Sequence, residues 1–311
     1  MLSVRNLTRS FGTRRVVDDV SFDVGRGRLT GFVGGNGAGK TTTMRMILGV
    51  LKPDSGEVLL DEAPVGQSAL HGFGYMPEER GLYPKMEIGE QLAYLARLHG
   101  IDKSTAIQRA DDLLERLGLI ERRRDKLEAL SLGNQQRVQV AAALVHDPDV
   151  LIMDEPFSGL DPLAVDEVVR VIAEHAARGV PVLFSSHQLD VVERLCDDLV
   201  IIANGQVRAA GSREALREQY SGNRWELEIG GDAGWVRGIP GVAVAELAGT
   251  TVLFDADATA ADAVVRAAVE RDSVRSFRPV RPTLGEIFRD IVVDTPADDM
   301  HDQDDNEGAA A

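Results

Sequence analysis

Residues 34–42 read GGNGAGKTT, and this stretch decides the fold. Gly34, Gly39, Lys40 and Thr41 match the spacing G-x-x-x-x-G-K-[ST] of a phosphate-binding loop. Glycine has no Cβ, so backbone N–H groups in such a loop can turn inward and approach a phosphate. The lysine supplies a mobile positive charge for the β- and γ-phosphates, and the threonine hydroxyl can bind Mg²⁺. The motif therefore predicts a nucleotide-binding site.

The sequence on both sides of this phosphate loop has the pattern that such a site requires. Residues 29–33 are a short apolar run typical of a buried strand, and residues 43–48 place apolar side chains at helical spacing. A strand that leads through a glycine-rich turn into a helix directs the helix N-terminus at the phosphates. The alternative is a glycine-rich turn that matches the motif by accident, and the strand–loop–helix context argues against it.

A second cluster of chemically useful residues follows another apolar run. Residues 150–156 read VLIMDEP, a buried strand that ends in Asp154 and Glu155. Open parallel sheets place their active sites at the carboxyl ends of the strands. Because Mg²⁺ prefers oxygen ligands, we expect Asp154 to bind it together with Thr41, and Glu155 to polarise the attacking water. The alternative interpretation is a pair of helix-capping carboxylates.

Two single residues have both a structural and a functional interpretation. His187 follows a predicted strand at 180–184, where it can contact a γ-phosphate and hold the water or Glu155 in line. Taken alone, such a histidine is more often a surface or core residue. Phe11 lies in a predicted antiparallel sheet, where it either packs against neighbours or offers its ring to a purine. The residue pattern by itself favours packing.

The order of elements indicates the architecture. Strands and helices alternate over residues 29–202, which predicts a mostly parallel, doubly wound α/β sheet whose final strand is 199–202. Residues 2–24 predict a small antiparallel sheet before it. Residues 86–146 are almost wholly helical in pattern, so we expect an inserted helical subdomain. In it, Ser131 is a candidate N-cap, and an Ala-rich helix covers residues 137–145.

The character of the chain changes after Tyr220. Residues 221–224 read SGNR, which is typical of a linker, and strand and helix patterns resume beyond it. We therefore expect a separate small α+β domain over residues 223–294. Residues 295–311 contain six acidic residues and no Lys or Arg, a composition that predicts a disordered tail.

The composition excludes several classes of function. The formal net charge is −16, and an acidic surface argues against broad nucleic-acid binding, which needs a basic face. The single cysteine, Cys196, cannot form an internal disulfide, which fits a reducing cytosol. The N-terminus has no secretory signal, and no apolar run reaches the length of a membrane span. We therefore expect any membrane role to come through a partner.

These motifs together resemble those of the ATP-binding subunit of ABC transporters, over residues 1–217. The order and spacing of that family are kept by the phosphate loop, GYMPE at 74–78, LSLGN at 130–134, VLIMDEP at 150–156, SGLD at 158–161 and the histidine at 187. The resemblance implies a P-loop NTPase fold with an antiparallel β subdomain and a helical subdomain. It also implies an ATPase that uses ATP and Mg²⁺ and drives transmembrane transport.

The resemblance assigns residues to ATP and to the metal. It implies that Phe11 stacks on adenine and that Glu78 joins Thr41 and Asp154 at Mg²⁺, with Glu155 and His187 as catalytic residues. The phosphate-loop residues that it assigns to ATP are Gly34, Gly35, Asn36, Gly37, Ala38, Gly39, Lys40, Thr41 and Thr42.

The resemblance also implies partners. Ser131, Gly133 and Asn134 would bind the γ-phosphate of the ATP that the opposite subunit holds, and Asp161 would communicate across that interface. The working unit would be a homodimer or a pair of ATPase subunits. It would sit at the cytoplasmic face of the membrane, on a separately encoded permease.

The chain departs from the family pattern in three places. Gly35 replaces a common proline, Glu78 replaces the usual glutamine, and LSLGN replaces LSGGQ. The first change should loosen the loop, and the second puts a charge near the γ-phosphate. The third keeps the serine and the second glycine, so contact with ATP should survive.

Three further segments resemble one subgroup, the bacterial ATPases of sodium and multidrug efflux exporters. They are PEERGLYPKM at 77–86, LSLGNQQRVQ at 130–139 and PTLGEIFRDIV at 282–292. A soluble ABC ATPase of translation or DNA repair remains an alternative, although such proteins usually carry two cassettes or a long coiled-coil insertion. A P-loop GTPase or small-molecule kinase is disfavoured by LSLGN and by the lack of an N-K-x-D motif.

Overall fold

The computed structural model describes residues 1–79, 81–221, 223–271 and 273–293, and these ranges contain three β-sheets. The acidic tail predicted at 295–311 lies outside the described residues. No helix within the described ranges has the length and apolar character that a membrane crossing requires. The α-helices are α1 (Lys40–Ile47), α2 (Gln67–Leu70), α3 (Ile88–Leu98), α4 (Lys103–Arg116), α5 (Leu132–Leu144), α6 (Pro162–Ala177), α7 (Leu189–Leu195), α8 (Arg213–Gln219), α9 (Ala258–Arg271) and α10 (Leu284–Val293).

The first sheet is antiparallel, as the alternating pattern predicts. Its order is β2-β1-β4-β5, and its inward side chains, among them Val4, Val20 and Phe22, are buried. The strands are β1 (Leu2–Phe11), β2 (Arg14–Val24), β4 (Ser55–Leu60) and β5 (Ala63–Pro64).

The central sheet has the order β10-β9-β3-β8-β7-β6, and five of its six strands are parallel. The sixth, β10, pairs antiparallel with β9. The expectation that residues 199–202 form the final strand is therefore wrong, because β10 extends the sheet beyond them. The strands are β3 (Leu29–Val33), β6 (Phe73–Met76), β7 (Val150–Met153), β8 (Val182–Ser186), β9 (Asp198–Ala203) and β10 (Gln206–Ser212).

Both faces of the central sheet are covered, and β7 shows how. Leu151 and Met153 belong to the apolar core beneath the helices, whereas Val150 and Ile152 belong to the core shared with the antiparallel sheet and α1. All four side chains are fully buried. This alternation follows from the two-residue period of a strand, and it produces three layers with the parallel sheet in the middle.

The chain between β6 and β7 is mainly helical, as predicted. Ile88, Leu92 and Ala96 of α3 recur at helical spacing and are fully buried against α4 and α5. The N-terminus of α4 is capped by Asp102, whose carboxylate accepts hydrogen bonds from two backbone N–H groups. The helix α5 begins at Leu132, five residues before the predicted start at 137.

The C-terminal part contains a third sheet, which is antiparallel and has the order β12-β13-β11-β14. One face packs against α9, and Leu227, Val252, Phe254 and Val264 form the centre of this separate core. The strands are β11 (Arg224–Ile229), β12 (Val242–Ala248), β13 (Thr251–Ala256) and β14 (Val274–Pro279).

The last helix, α10, leaves that core and packs against α7. Leu284, Ile287 and Ile291 are buried in the core beneath the central sheet. The helix is started by a capping box, in which the Thr283 hydroxyl accepts a hydrogen bond from the Glu286 N–H while the Glu286 carboxylate accepts one from the Thr283 N–H. The C-terminal segment therefore has contacts outside its own core, because its last helix completes the core beneath the central sheet.

We expect Ile287→Ala to destabilise the central-sheet part of the protein. Ile287 is 0% exposed, so the substitution leaves a cavity that should cost about 2–5 kcal/mol of unfolding free energy. Urea unfolding followed by circular dichroism measures this loss, and amide exchange in residues 189–195 should also accelerate. Val269→Ala on α9 is the control, because Val269 is 67% exposed and the change should stay within about 0.5 kcal/mol. Equal midpoints for both variants would contradict the packing role of α10.

Candidate nucleotide-binding site

The glycines at the two ends of the phosphate loop lie where a side chain would collide with backbone. Gly39, at the start of α1, has a φ of 103°. A Cβ there would lie 2.8 Å from the Val16 carbonyl oxygen, and a Cβ at Gly34 would lie 2.5 Å from the Ile202 carbonyl oxygen. At Gly35, by contrast, the corresponding position is surrounded by open space. Gly37 also lies in open space but has a φ of 75°, which disfavours a side chain there, whereas Gly35 has neither constraint.

Lys40 lies folded over the loop. Its Nζ donates hydrogen bonds to the carbonyl oxygens of Gly34 at 2.7 Å and Gly35 at 3.1 Å. The first turn of α1 contains no acidic side chain. A cation and the free N–H groups of a helix N-terminus therefore meet at one point, which is the chemistry that binds a phosphate anion.

Asp154 is buried at the end of β7, with 1% of its surface exposed. The hydroxyl of Thr41 donates to its Oδ2 at 2.8 Å, and the hydroxyl of Ser185 donates to its Oδ1. The structure thus joins the first turn of α1 directly to the predicted carboxylate. Sequence reasoning missed Ser185, although a serine at the end of a strand near a carboxylate-bearing strand is a usable signal.

Glu155 and His187, the two predicted catalytic residues, lie together. The Oε2 of Glu155 is 2.9 Å from the Nδ1 of His187. The Glu155 side chain is only 10% exposed, whereas that of His187 is 60% exposed and open to solvent. Glu155 has a φ of 52°, and its N–H donates to the Ser185 hydroxyl at 2.9 Å. This left-handed backbone turns the carboxylate away from the strand and towards the histidine.

These groups surround one cavity of about 600 Å³, a volume within the usual range for small-molecule sites. Residues 36–42 of the predicted phosphate loop, both carboxylates, Glu78 and His187 contribute to its wall, whereas the predicted residues Gly34 and Gly35 do not. The lining residues are Val16, Asn36, Gly37, Ala38, Gly39, Lys40, Thr41, Thr42, Glu78, Asp154, Glu155 and His187.

The predicted metal ligands fit Mg²⁺ by their chemistry. Thr41, Glu78 and Asp154 all lie in the cavity wall and offer only oxygen atoms, the donor type that Mg²⁺ prefers. Within the described residues, no group of three or more His, Cys, Asp or Glu side chains forms a metal cluster. Mg²⁺ sites in nucleotide-binding proteins commonly use one or two carboxylates together with substrate phosphates and water.

Tyr75 lies next to this site on β6. Burial, followed by the negative charge of Asp154, raises the pKa of the Tyr75 phenol. The phenol therefore stays protonated and neutral at physiological pH beside the buried carboxylate.

Phe11, which is predicted to contact adenine, does not line the cavity within the part of the chain that the structure describes. Phe11, at the end of β1, is 49% exposed, and the guanidinium of Arg9 lies 5.0 Å from its ring centroid. Its ring is thus available at the surface and already stacks with a cation. The cavity geometry alone does not bring Phe11 to the phosphate loop.

The LSLGN and SGLD segments form a second cluster. Ser131 caps α5 by accepting a hydrogen bond from the Asn134 N–H at 3.4 Å, and Asp161 caps α6 by accepting one from the Ala164 N–H at 2.9 Å. A Cβ at Gly133 would lie 3.3 Å from the Gly159 carbonyl oxygen, so the two segments are in close contact. This cluster does not contribute to the cavity wall around Lys40.

Two families of known sequences match the chain. The family described as "ABC transporter" matches residues 17–158, which include the phosphate loop and both carboxylates. The family described as "ATP-binding protein DrrA1-3-like, C-terminal domain" matches residues 211–292.

Individual proteins are similar over most of their length. The chain is 36% identical over 289 residues to the uncharacterized ABC transporter ATP-binding protein YhaQ of Bacillus subtilis, a match that covers 93% of this chain and 97% of YhaQ. It is 35% identical to the linearmycin resistance ATP-binding protein LnrL of the same organism, with 72% of this chain and 73% of LnrL covered. A solved ATP-binding subunit of an ABC transporter is similar with a TM-score of 0.66 and 33% identity, over 71% of this chain and 93% of that chain.

We expect the two ends and the middle of the phosphate loop to respond differently to alanine. Gly39→Ala places a Cβ 2.8 Å from a backbone oxygen at a φ that alanine disfavours, so ATP affinity should fall at least about tenfold. Gly35→Ala meets open space, and its affinity should stay within about twofold of wild type. Titration with a fluorescent ATP analogue measures both affinities, with circular dichroism as the check of folding. Equal losses in the two variants would show that the loop geometry is misassigned.

Proposed function

This chain belongs to the ATP-binding subunits of ABC transporters, and from that premise we propose that it hydrolyses Mg-ATP to power the export of drugs or ions through a separately encoded membrane permease. One observation carries the hydrolysis part of the proposal. A single cavity combines the phosphate loop with Asp154, Glu155 and His187, the groups that phosphoryl transfer to water requires.

The phosphate loop and the metal ligands hold the nucleotide. The β- and γ-phosphates replace the carbonyl oxygens of Gly34 and Gly35 as partners of Lys40, while the N–H groups at the start of α1 face the same oxygens. Thr41 and Asp154, already joined by a hydrogen bond, would hold Mg²⁺ together with Glu78. The metal supplies charge neutralisation at the phosphate oxygens when it is bound.

Glu155 acts as the general base. Its carboxylate lies in the cavity wall, next to the metal ligand Asp154, so it can accept a proton from the attacking water. His187 holds one oxygen of Glu155 at 2.9 Å and keeps an exposed edge, with which it can contact the γ-phosphate.

The complete site is made by two subunits. Ser131, Gly133, Asn134 and Asp161 form a cluster outside the cavity wall, and the exposed side chains of Leu132 and Leu163 flank it. We place this cluster on the γ-phosphate of the ATP held by a second subunit, in a homodimer or a pair of ATPase subunits. Phe11 closes the other end by stacking on the adenine ring, for which its surface position leaves it available.

A separate groove fits a permease. Tyr83 is 59% exposed, and together with Met86 it gives the groove an apolar wall at one side of the helical region. The groove has a volume of about 760 Å³. Its other lining residues are Pro84, Lys85, Glu87, Glu90, Lys126 and Glu128. Docking through this groove would hold the subunit at the cytoplasmic face of the membrane.

The export direction and the substrate class rest on similarity. LnrL, which shares 35% identity with this chain, is a linearmycin resistance ATP-binding protein. The segments PEERGLYPKM and LSLGNQQRVQ point to the same kind of system, the sodium and multidrug efflux exporters. Both observations favour export of drugs or ions.

Glu155→Gln should separate ATP binding from ATP hydrolysis. Glutamine is nearly isosteric but a far weaker base, so turnover should fall by about 10²–10⁴-fold while Mg-ATP still binds. Asp154→Asn is the matched variant, and it should weaken Mg²⁺ binding itself. A phosphate-release assay measures turnover, and size-exclusion chromatography with ATP should show a stable dimer only for Glu155→Gln. Turnover near the wild-type rate in Glu155→Gln would contradict its assignment as the base.

Tyr83→Ser should uncouple the ATPase from its permease. The side chain lies in the docking groove and away from the ATP cavity, so basal ATPase activity should stay at the wild-type level. Co-purification with the permease from detergent-solubilised membranes, and the stimulation of ATPase activity by it, should both be lost. Val50→Ser, at an apolar residue that is 71% exposed elsewhere, is the control and should retain both. Loss of ATP binding in Tyr83→Ser would show that the groove belongs to the nucleotide site.

A further inference from the structure

The helix α5 carries two buried glutamines whose partners are loops of the nucleotide site. Gln136 is 4% exposed and Gln139 is 3% exposed. They are three residues apart, so their side chains are neighbours on one face of the helix. Each points an amide N–H group at a pair of backbone carbonyl oxygens in a different loop.

Gln136 holds the loop that contains Glu155. Its Nε2 donates to the Glu155 carbonyl oxygen at 2.9 Å and to the Pro156 carbonyl oxygen at 3.2 Å. The φ of Glu155 is 52°, a conformation that a non-glycine residue keeps only where its surroundings enforce it. A donor fixed on the residue's own carbonyl is such an enforcing contact.

Gln139 holds the loop that contains Glu78. Its Nε2 lies 2.5 Å from the Pro77 carbonyl oxygen and 3.3 Å from the Glu79 carbonyl oxygen, so it spans Glu78 from both sides. Its Oε1 is buried without a hydrogen-bond partner among the described residues.

We propose that Gln136 and Gln139 are positioning residues of the ATPase, through which α5 sets the geometry of Glu155 and of Glu78 at the same time. The inference rests on the proposed function, in which Ser131 at the start of α5 contacts the ATP of a second subunit. The N-terminus of α5 then contacts the nucleotide of one site. The two glutamines on the side of the same helix hold two loops of the other site. Closure of the two subunits on the first ATP is thereby linked to the positions of Glu155 and Glu78 at the second ATP.

A third glutamine provides a matched control. Gln91 on α3 is fully buried and also holds a loop, since its Oε1 accepts from the Tyr83 N–H at 2.6 Å and its Nε2 donates to the Tyr83 carbonyl oxygen at 3.3 Å. It resembles the two residues of α5 in type, burial and partners. Tyr83 itself does not line the ATP cavity, although it lies in the same connection between β6 and α3, residues 77–87, as Glu78.

The test compares Gln136→Met, Gln139→Met and Gln91→Met in the full chain, because methionine keeps the length of the side chain and removes the amide. Gln139→Met should raise the Mg²⁺ concentration for half-maximal ATPase activity about tenfold, and Gln136→Met should lower kcat about 10–100-fold with KM for ATP unchanged. Gln91→Met should match wild type in both quantities. The proposal would be overturned if Gln91→Met raised the Mg²⁺ requirement as much as Gln139→Met does, or lowered kcat as much as Gln136→Met does.

Double-mutant cycles show whether each glutamine acts through its own carboxylate. Gln139→Met should have no further effect in a Glu78→Ala background, and Gln136→Met none in a Glu155→Gln background, whereas the crossed pairs should be additive. Additivity in all four pairs would overturn the proposal. If Gln136→Met fails to fold, the Gln139 cycles with Glu78→Ala and Glu155→Gln decide alone.

Hydrogen exchange gives a readout without nucleotide or metal. In the free protein, Gln139→Met should accelerate amide exchange at 78–79, and Gln136→Met at 155–158, each by about tenfold or more; unchanged exchange in both would overturn the proposal. These outcomes are distinguishable from failure of the proposed function. An active Glu155→Gln variant rejects the assigned base, whereas an inactive Glu155→Gln beside fully active glutamine variants rejects only the positioning role.

Discussion

The nucleotide site depends on the hydrogen bonds that the buried carboxylate of Asp154 accepts. A carboxylate that is 1% exposed is costly unless hydrogen bonds replace its water, and here they come from two segments far apart in the chain. The carboxylate accepts from Thr41, in the first turn of α1 after β3, and from Ser185 on β8. The backbone N–H of Asp154 donates separately to the Met76 carbonyl oxygen at the end of β6. In the sheet, β7 lies between β6 and β8, and β3 lies on the far side of β8. A slip of one residue in any of them would leave the charge unpaired, so sheet register and site geometry are one constraint.

Local charge, not overall charge, makes the site suitable for a polyanion. The chain has a formal net charge of −16, yet salt screens surface charges beyond about 8–10 Å under physiological conditions. Within that distance of a phosphate in the loop lie the Lys40 ammonium and the N–H groups that begin α1. The carboxylates of Glu78, Asp154 and Glu155 also line this cavity, and the Mg²⁺ that we propose there would offset their charge. Nucleotide binding is therefore compatible with an acidic surface.

Local sequence patterns predicted the strands and helices that carry the site residues. The structure differs from those predictions where long-range strand pairing or a helix cap decides the outcome. The strand Val150–Met153 has the bounds that its apolar run predicts, and the loop, both carboxylates and His187 meet in one cavity. The strand Gln206–Ser212 was missed because its alanines and glycine have low strand propensity, and it forms on the open edge of β9. α5 starts before Arg137 because the cap at Ser131 offsets the poor helix propensity of Gly133. The roles of the individual site residues stay predictions.

The packing of α10 on α7 has a consequence for synthesis of the chain. The ribosome makes α7 nearly a hundred residues before α10, which at about 5–20 residues per second is an interval of about 5–20 s. During that interval the nascent chain has its phosphate loop and both carboxylates but lacks the helix that completes its core. Apolar surface on α7 is open to chaperones in that period. A product terminated early in the third sheet would keep this surface exposed, which allows cellular proteases to distinguish it from the finished subunit.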